Sequence, residues 1–398
     1  MKHKAFIMPC YNLHDYAGHE FMYTKEILAA LEKKYKEVTL DIRIFAREDV
    51  NEAIKNELNC LPHFSYVKYR QDDSIFTRIS ALINREYLWF KENKRLLNTI
   101  PDKSMIFVHS FSIYSSWQWL MLQKYIKKNG HELKLVFRYS ERLLPSYLKR
   151  IHRLICKHIG KYVEADMFTD SLELKIEYEK YCKRIFTVLP VMAETEIVDY
   201  DEAKSKIDNI NYNIAYLGAA RYDKGFHLLP DIIEHYCNDI RDLHFTIQCS
   251  IPGTNYLEKS CEIALKKIQL LSAKFPTKVT LISHSVNQQQ YRELLKNSSI
   301  LMLPYIGESY KTQTSGILVE ALTNGIPCVV PSGTWLSVEL SRTNGGMEFL
   351  VENTNTLILS LDELITNYPK YKQYAINGMD NEKTRFGAES QLKYIVGR

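Results

Sequence analysis

The stretch YKTQTSGILVEALTNGIPCVV, residues 310–330, reads as the end of a loop, a helix, a glycine stop and a buried strand. Thr314, Ser315 and Gly316 stand where the helix begins, so backbone amides there face outward for an anion while Ser315 or Thr314 caps the turn. Gly325 is placed to end the helix. Glu320 lies about one and a half turns in, among Ile317, Leu318, Val319, Ala321 and Leu322. A carboxylate in so apolar a run needs a partner, and vicinal hydroxyls such as those of a ribose are suitable donors to it.

A second strand–loop–helix stretch lies upstream. In YLGAARYDKGFHLLPDII, residues 216–233, a strand runs into Gly218, a short loop with Arg221 and Lys224, Gly225 and a helix. Fixed cations and helix amides at such a turn suit a diphosphate, although short basic βα turns are also common on protein surfaces.

The same alternation extends over the chain. AFIM, VTLDIRIF, SMIFVH, LKLVFR, ADMFT and RIFTV read as strands of the N-terminal half, and NIAYLG, LHFTIQC, VTLISH and ILMLPY as strands of the C-terminal half, with helical spacing between them. This pattern predicts an α/β fold of two doubly wound, Rossmann-like domains facing a central cleft, with ligand loops at the strand C-termini. The expected domains are 1–190 and 213–380, joined by a polar hinge over 191–212, with 381–398 as a C-terminal helix returning to the first domain.

LGAARYDKGFHLLPDII together with LPYIGESYKTQTSGILVEALTNGIPCVVP resembles the nucleotide-binding domain of GT-B glycosyltransferases, in particular family-4-like retaining enzymes. FTDSLELKIEYEKYCKRIFTVLPVMAE is similar to the end of their first domain. The resemblance implies that Gly218, Arg221, Lys224, Thr314, Ser315, Gly316 and Glu320 bind a nucleotide-diphosphate sugar, with Arg221 and Lys224 stabilising the leaving diphosphate and Glu320 holding the ribose. It implies a hexose-type sugar transferred to a glycan or lipid-linked acceptor, with retention, and with neither a metal nor a further cofactor. Glu320 matches the second glutamate of the family's E-x7-E motif; Thr312 stands where the first belongs, and Glu308 is out of register. Thr312 therefore marks an unusual contact to the donor sugar. Two rival readings remain, a GT-B-fold sugar-nucleotide epimerase or hydrolase, and an inactive nucleotide-sugar-binding homologue.

The first domain would bind the acceptor. Gly18, His19 and Glu20 resemble the GG-x-E loop of these enzymes, with Ala17 in place of the first glycine; helix capping is the alternative role for this loop. His109, at the end of SMIFVH, is expected at the reaction centre, and Arg138, at the end of LKLVFR, beside an anionic group or Glu141.

Three further features set bounds. Residues 146–162, SYLKRIHRLICKHIGKY, form a basic amphipathic helix with Leu148, Ile151, Ile155 and Ile159 in one stripe. It suits either the cover of a sheet or a peripheral contact with anionic lipid. Its His152, Cys156 and His158 do not share a face, so no metal site is expected, and Asp199–Asp201 is read as a solvated acidic turn rather than a metal-binding DxD. The net charge of +5 is too small to indicate a nucleic-acid-coating protein. Eight cysteines without a CxxC pair, no bilayer-spanning apolar run and no leader-like N-terminus predict a cytoplasmic chain, peripheral at the inner membrane face if the helix docks there.

Overall fold

The computed structural model describes residues 5–16, 19–36, 40–67, 74–111, 113–192, 194–195, 197–207, 212–239, 241–250, 257–306 and 308–397. The chain divides into two compact units, Met1–Pro190 with Ala388–Arg398, and Val191–Gly387.

The first unit is built on β1 (Ala5–Pro9), β2 (Asp41–Arg47), β3 (Leu61–Phe64), β4 (Met105–Val108), β5 (Glu132–Phe137), β6 (Asp166–Thr169) and β7 (Thr187–Val188). They pair in the order β3-β2-β1-β4-β5-β6-β7, every pair parallel. The second unit holds β8 (Tyr212–Ala219), β9 (Leu243–Ser250), β10 (Val279–Ile282), β11 (Ile300–Met302), β12 (Cys328–Pro331) and β13 (Gly346–Phe349). These form a second parallel sheet, ordered β10-β9-β8-β11-β12-β13. Each sheet reverses its strand order beside its first strand, between β1 and β4 and between β8 and β11. In doubly wound sheets that reversal opens a ligand crevice beyond the strand C-termini.

Burial on both faces explains the apolar runs. Along β8 the side chains alternate, Ile214 and Tyr216 entering one core and Ala215 and Leu217 the other. All eight cysteines are buried and unpaired.

Two strands are absent from the sequence reading, β3 and β13, and both are edge strands. Pro62 and the glycines at 345 and 346 obscure them. A Cβ on Gly346 would lie 2.0 Å from the Cys328 carbonyl oxygen, so close pairing with β12 accounts for that glycine.

The segment expected as a hinge is counted in the second unit. Ile197 and Val198 are buried, and their amides donate to the Asn324 side-chain oxygen at 3.1 and 2.7 Å. Asp199 caps the helix Tyr200–Ser205 by accepting from the Glu202 amide at 2.7 Å. At the other end, helix Tyr368–Phe386 stays with the second unit, and only the helix Ala388–Ile395 packs on helix His19–Lys34. Lys33 pairs with Glu389, and Lys34 donates to the Gly397 carbonyl at 3.1 Å.

Lys372 is buried, and its ammonium donates to the Gly325 carbonyl at 2.7 Å, where helix Gly316–Thr323 has just ended. Burial, with Lys206 repelling it, pushes its pKa down to about 7. An unfolded lysine titrates near ~10.4, so between about pH 7 and that value the unfolded chain binds more protons than the native one. This residue therefore makes stability rise with pH across that window. Lys372→Met should flatten the rise, read as urea midpoints at pH 7 and pH 9; an unchanged slope would refute the assignment.

Candidate functional site

In the second unit the site grows from the C-terminal end of β8. Gly218 has φ +147, and a Cβ there would meet Lys224 Nζ and Ile317 Cδ1, each at 3.3 Å. The glycine thus lets the lysine and the first turn of helix Gly316–Thr323 close over the strand end. Gly225 turns the chain with φ +69; a Cβ on it would sit 1.8 Å from the Pro304 carbonyl oxygen just beyond β11. Lys224 is half-buried, with its ammonium 5.5 Å from the centre of the Tyr305 ring.

Ser315 caps the helix, its hydroxyl accepting from the Leu318 amide at 3.3 Å, while Gly316 is buried and Thr314 half-buried at the same start. Glu320 is half-buried two residues beyond Leu318 and accepts from the Tyr291 hydroxyl at 2.5 Å. Burial lifts its carboxyl to about 7, the Tyr291 hydroxyl pulls it down, Glu194 pushes it up, and Lys224 pulls it down. Glu194 itself pairs with Arg292, the residue after Tyr291 on helix Gln288–Lys296.

Two residues expected at the donor have partners within the protein. Arg221 points into an ion pair with Asp223, Nε lying 2.8 Å from Oδ1 with a second bond from Nη2. The two-residue spacing across a tight 3-10 turn makes that pair, so Arg221 is engaged while Lys224 lies over Gly218. Thr312 is buried, with its hydroxyl donating to the Ser309 carbonyl at 3.3 Å. The side chain of Glu308 lies outside the described residues.

A cavity of about 390 Å³ opens beside the start of helix Gln288–Lys296, walled by Ile282, His284, Val286, Asn287, Gln290 and Leu294. Gln248 links it to the strand end. Its side-chain Oε1 accepts from the Gly218 amide at 3.1 Å, and its side-chain Nε2 donates to the His284 carbonyl at 3.4 Å. Tyr291, Gln248 and the cavity were missed from sequence. Their signal is only a tyrosine in an amphipathic helix and a glutamine in a strand.

In the first unit, four strand ends gather polar groups: Cys10 after β1, His109 after β4, Arg138 after β5 and Asp170 after β6. His109 is buried. Its ring stacks on Tyr23 at 4.7 Å and 17°, and Nε2 lies 3.5 Å from Cys10 Sγ. Burial and the Arg138 charge lower its pKa to about 3, so the imidazole is neutral at physiological pH. His109, expected at the reaction centre, thus has its ring packed against Tyr23.

Arg138 is the better exposed of the pair. Its Nε donates to the His109 carbonyl at 2.7 Å, its guanidinium lies 4.9 Å from the centre of the Tyr23 ring, and Nη1 is 3.5 Å from Asp170 Oδ2. Nη2 meets no acceptor among the described residues. The expected partner Glu141 instead pairs with Arg153. Glu20 accepts from the Asn12 amide and side chain, both at 3.1 Å, and so ties the loop after β1 to its helix. Burial raises its pKa, while Arg138 is near enough to oppose the rise. Gly18 and the His19 side chain lie outside the described residues. Asp170 and Tyr23, which hold Arg138, were not singled out from sequence.

Known structures follow the same course over nearly the whole chain. HepE from Anabaena, solved with UDP, is 11% identical, with 98% of each chain covered and a TM-score of 0.66. The fold is GT-B. Sucrose-phosphate synthase from Thermosynechococcus elongatus shares this GT-B course at 11% identity, covering 98% of this chain and 97% of its own, with a TM-score of 0.66. The lipopolysaccharide outer core galactosyltransferase WaaB does so at 13% identity, 98% and 99% coverage, and a TM-score of 0.64. No family model matches the sequence, and no curated protein matches it.

Proposed function

We propose that this GT-B chain is a glycosyltransferase, moving a hexose-type sugar from a nucleotide-diphosphate sugar to a glycan or lipid-linked acceptor. The observation that carries the reading is the convergence of Gly218, Lys224, the Ser315-capped helix start and Glu320 at the β8/β11 reversal. A glycine-lined approach, a half-buried ammonium and a helix N-terminus favour an oligophosphate. Glu320, half-buried near that helix start, is the acceptor for the ribose hydroxyls of such a nucleotide.

The chemistry follows from charge. As the glycosidic bond to the donor breaks, negative charge grows on the diphosphate, and Lys224 with the helix amides stabilises that state more than the bound donor. With retention, the acceptor hydroxyl attacks from the side the diphosphate leaves, and its proton passes to the departing phosphate oxygen. No protein nucleophile and no metal enter this step. In the first unit Arg138 and Glu20 hold acceptor hydroxyls, and His109 acts as a positioning residue, through the carbonyl that fixes Arg138. The place of action is the cytoplasm or its membrane face.

The test is release of nucleoside diphosphate from a panel of nucleotide sugars, with and without glycan and lipid-linked acceptors. Release that depends on acceptor, with a glycosylated product, is the expected result. Release without any acceptor would indicate a hydrolase; an altered nucleotide sugar, an epimerase; and binding without turnover, an inactive homologue.

A further inference from the structure

Helix Ser146–Tyr162 does not lie as its apolar spacing suggests. His152, Cys156 and Ile159 face the core, with Leu148 and Ile155 half-buried beside them. Ile151, expected in that inward stripe, is 55% exposed. The solvent side carries two parallel stripes. Tyr147, Ile151, Leu154, His158 and Tyr162 follow one another at three- and four-residue steps, and all are exposed, Tyr147 at 69% and Leu154 at 56%. Arg150, Arg153, Lys157 and Lys161 form the second stripe at the same steps. The helix contains no aspartate or glutamate. Arg153 is held by Glu141.

The neighbouring helix lies beyond the basic stripe, where Arg153 stands over the Tyr181 ring and Gly160 abuts the Cys182 carbonyl. Helix Leu172–Cys182 packs against helix Ser146–Tyr162, and its Leu172 and Ile176 are both exposed. The two helices follow β5 and β6, so they begin at the pole where Arg138 and Asp170 lie. No helix among the described residues is long and apolar enough to cross a membrane.

We infer that this face of the first unit docks on an anionic phospholipid surface, with Tyr147, Ile151 and Leu154 entering the headgroup boundary beside the basic stripe. An apolar stripe flanked by lysine and arginine, free of acidic residues along its helix, matches the two layers of such an interface: acyl boundary for the side chains, lipid phosphates for the cations. The inference is independent of the transferase reading, because vesicle binding needs no turnover. Should both hold, docking brings the strand-end pole of the first unit to the membrane, where a lipid-borne acceptor would be met.

Co-sedimentation of the full chain tests it, using vesicles of phosphatidylcholine with one-third phosphatidylglycerol and vesicles of phosphatidylcholine alone. The expected result is binding to the anionic vesicles that falls with added salt. Arg150→Gln with Lys157→Gln should weaken it about tenfold or more, and Ile151→Ser with Leu154→Ser by a similar factor. These positions are exposed, so the melting temperature should stay at the wild-type value. Equal binding to both vesicle types, or unchanged binding by both variants, would overturn the inference. So would a concentration-dependent dimer without lipid that Ile151→Ser with Leu154→Ser abolishes, since the face would then join two copies of the chain.

Discussion

Lys224→Ala should lower kcat for acceptor-dependent nucleotide release about 100-fold, whereas Arg221→Ala should cost less than about tenfold. The two cations stand three residues apart in one loop, but the fold gives them different company. Lys224 lies over Gly218, near the Ser315-capped helix, and its charge reaches Glu320. Arg221 is bound twice by Asp223 and about half of its side chain is in solvent. A fixed ammonium in a half-buried crevice interacts strongly with charge developing on a leaving diphosphate, while an exposed, already paired guanidinium is screened. Steady-state kinetics of the two variants decide it. Equal losses, or the larger loss at Arg221, would mean that the Arg221–Asp223 pair opens and that the cation assignment is reversed.

Glu320→Gln should weaken nucleoside diphosphate binding and remove part of its pH dependence. The carboxyl titrates at about 7 because burial disfavours its charge. Only the ionised form offers unprotonated oxygens to two ribose hydroxyls, one of its oxygens already accepting from Tyr291. Raising the pH from 6 to 8 takes it from about one-tenth to about nine-tenths ionised, so wild-type affinity should rise by up to about tenfold across that range. The glutamine variant should keep only the slope due to the phosphate's own titration. Binding measured for both proteins at pH 6, 7 and 8 provides the comparison. Parallel slopes would separate Glu320 from the ligand.

Much of this was legible because the informative residues are close in sequence. The βα alternation exposes both sheets, since strands buried on two faces leave apolar runs such as Ile300–Met302 and Cys328–Pro331. Gly218, Lys224 and Gly225 stand out because the turn needs two glycines, both at positive φ, with Gly225 against the Pro304 carbonyl. The contacts that were not legible join distant residues. Tyr291 meets Glu320 across 29 positions, and Asp170 meets Arg138 across two strand ends. No local pattern announces either pair. The helix at 146–162 shows a different limit, for its apolar side chains occupy two faces, and a hydrophobic stripe alone does not say which one is buried. His152 and Cys156, polar on paper, take the inner face because each has the other for a partner, Nε2 to Sγ at 3.4 Å.

The central claim is that the β8/β11 reversal of the second unit is a nucleoside diphosphate site. Calorimetric titration of the wild-type chain and Lys224→Ala with UDP, GDP, ADP, CDP and dTDP tests it most directly. The account predicts saturable binding of at least one of the five to the wild type, weakened about tenfold or more by Lys224→Ala with the melting temperature unchanged. Binding of none of them, or binding that Lys224→Ala leaves as it was, would contradict it.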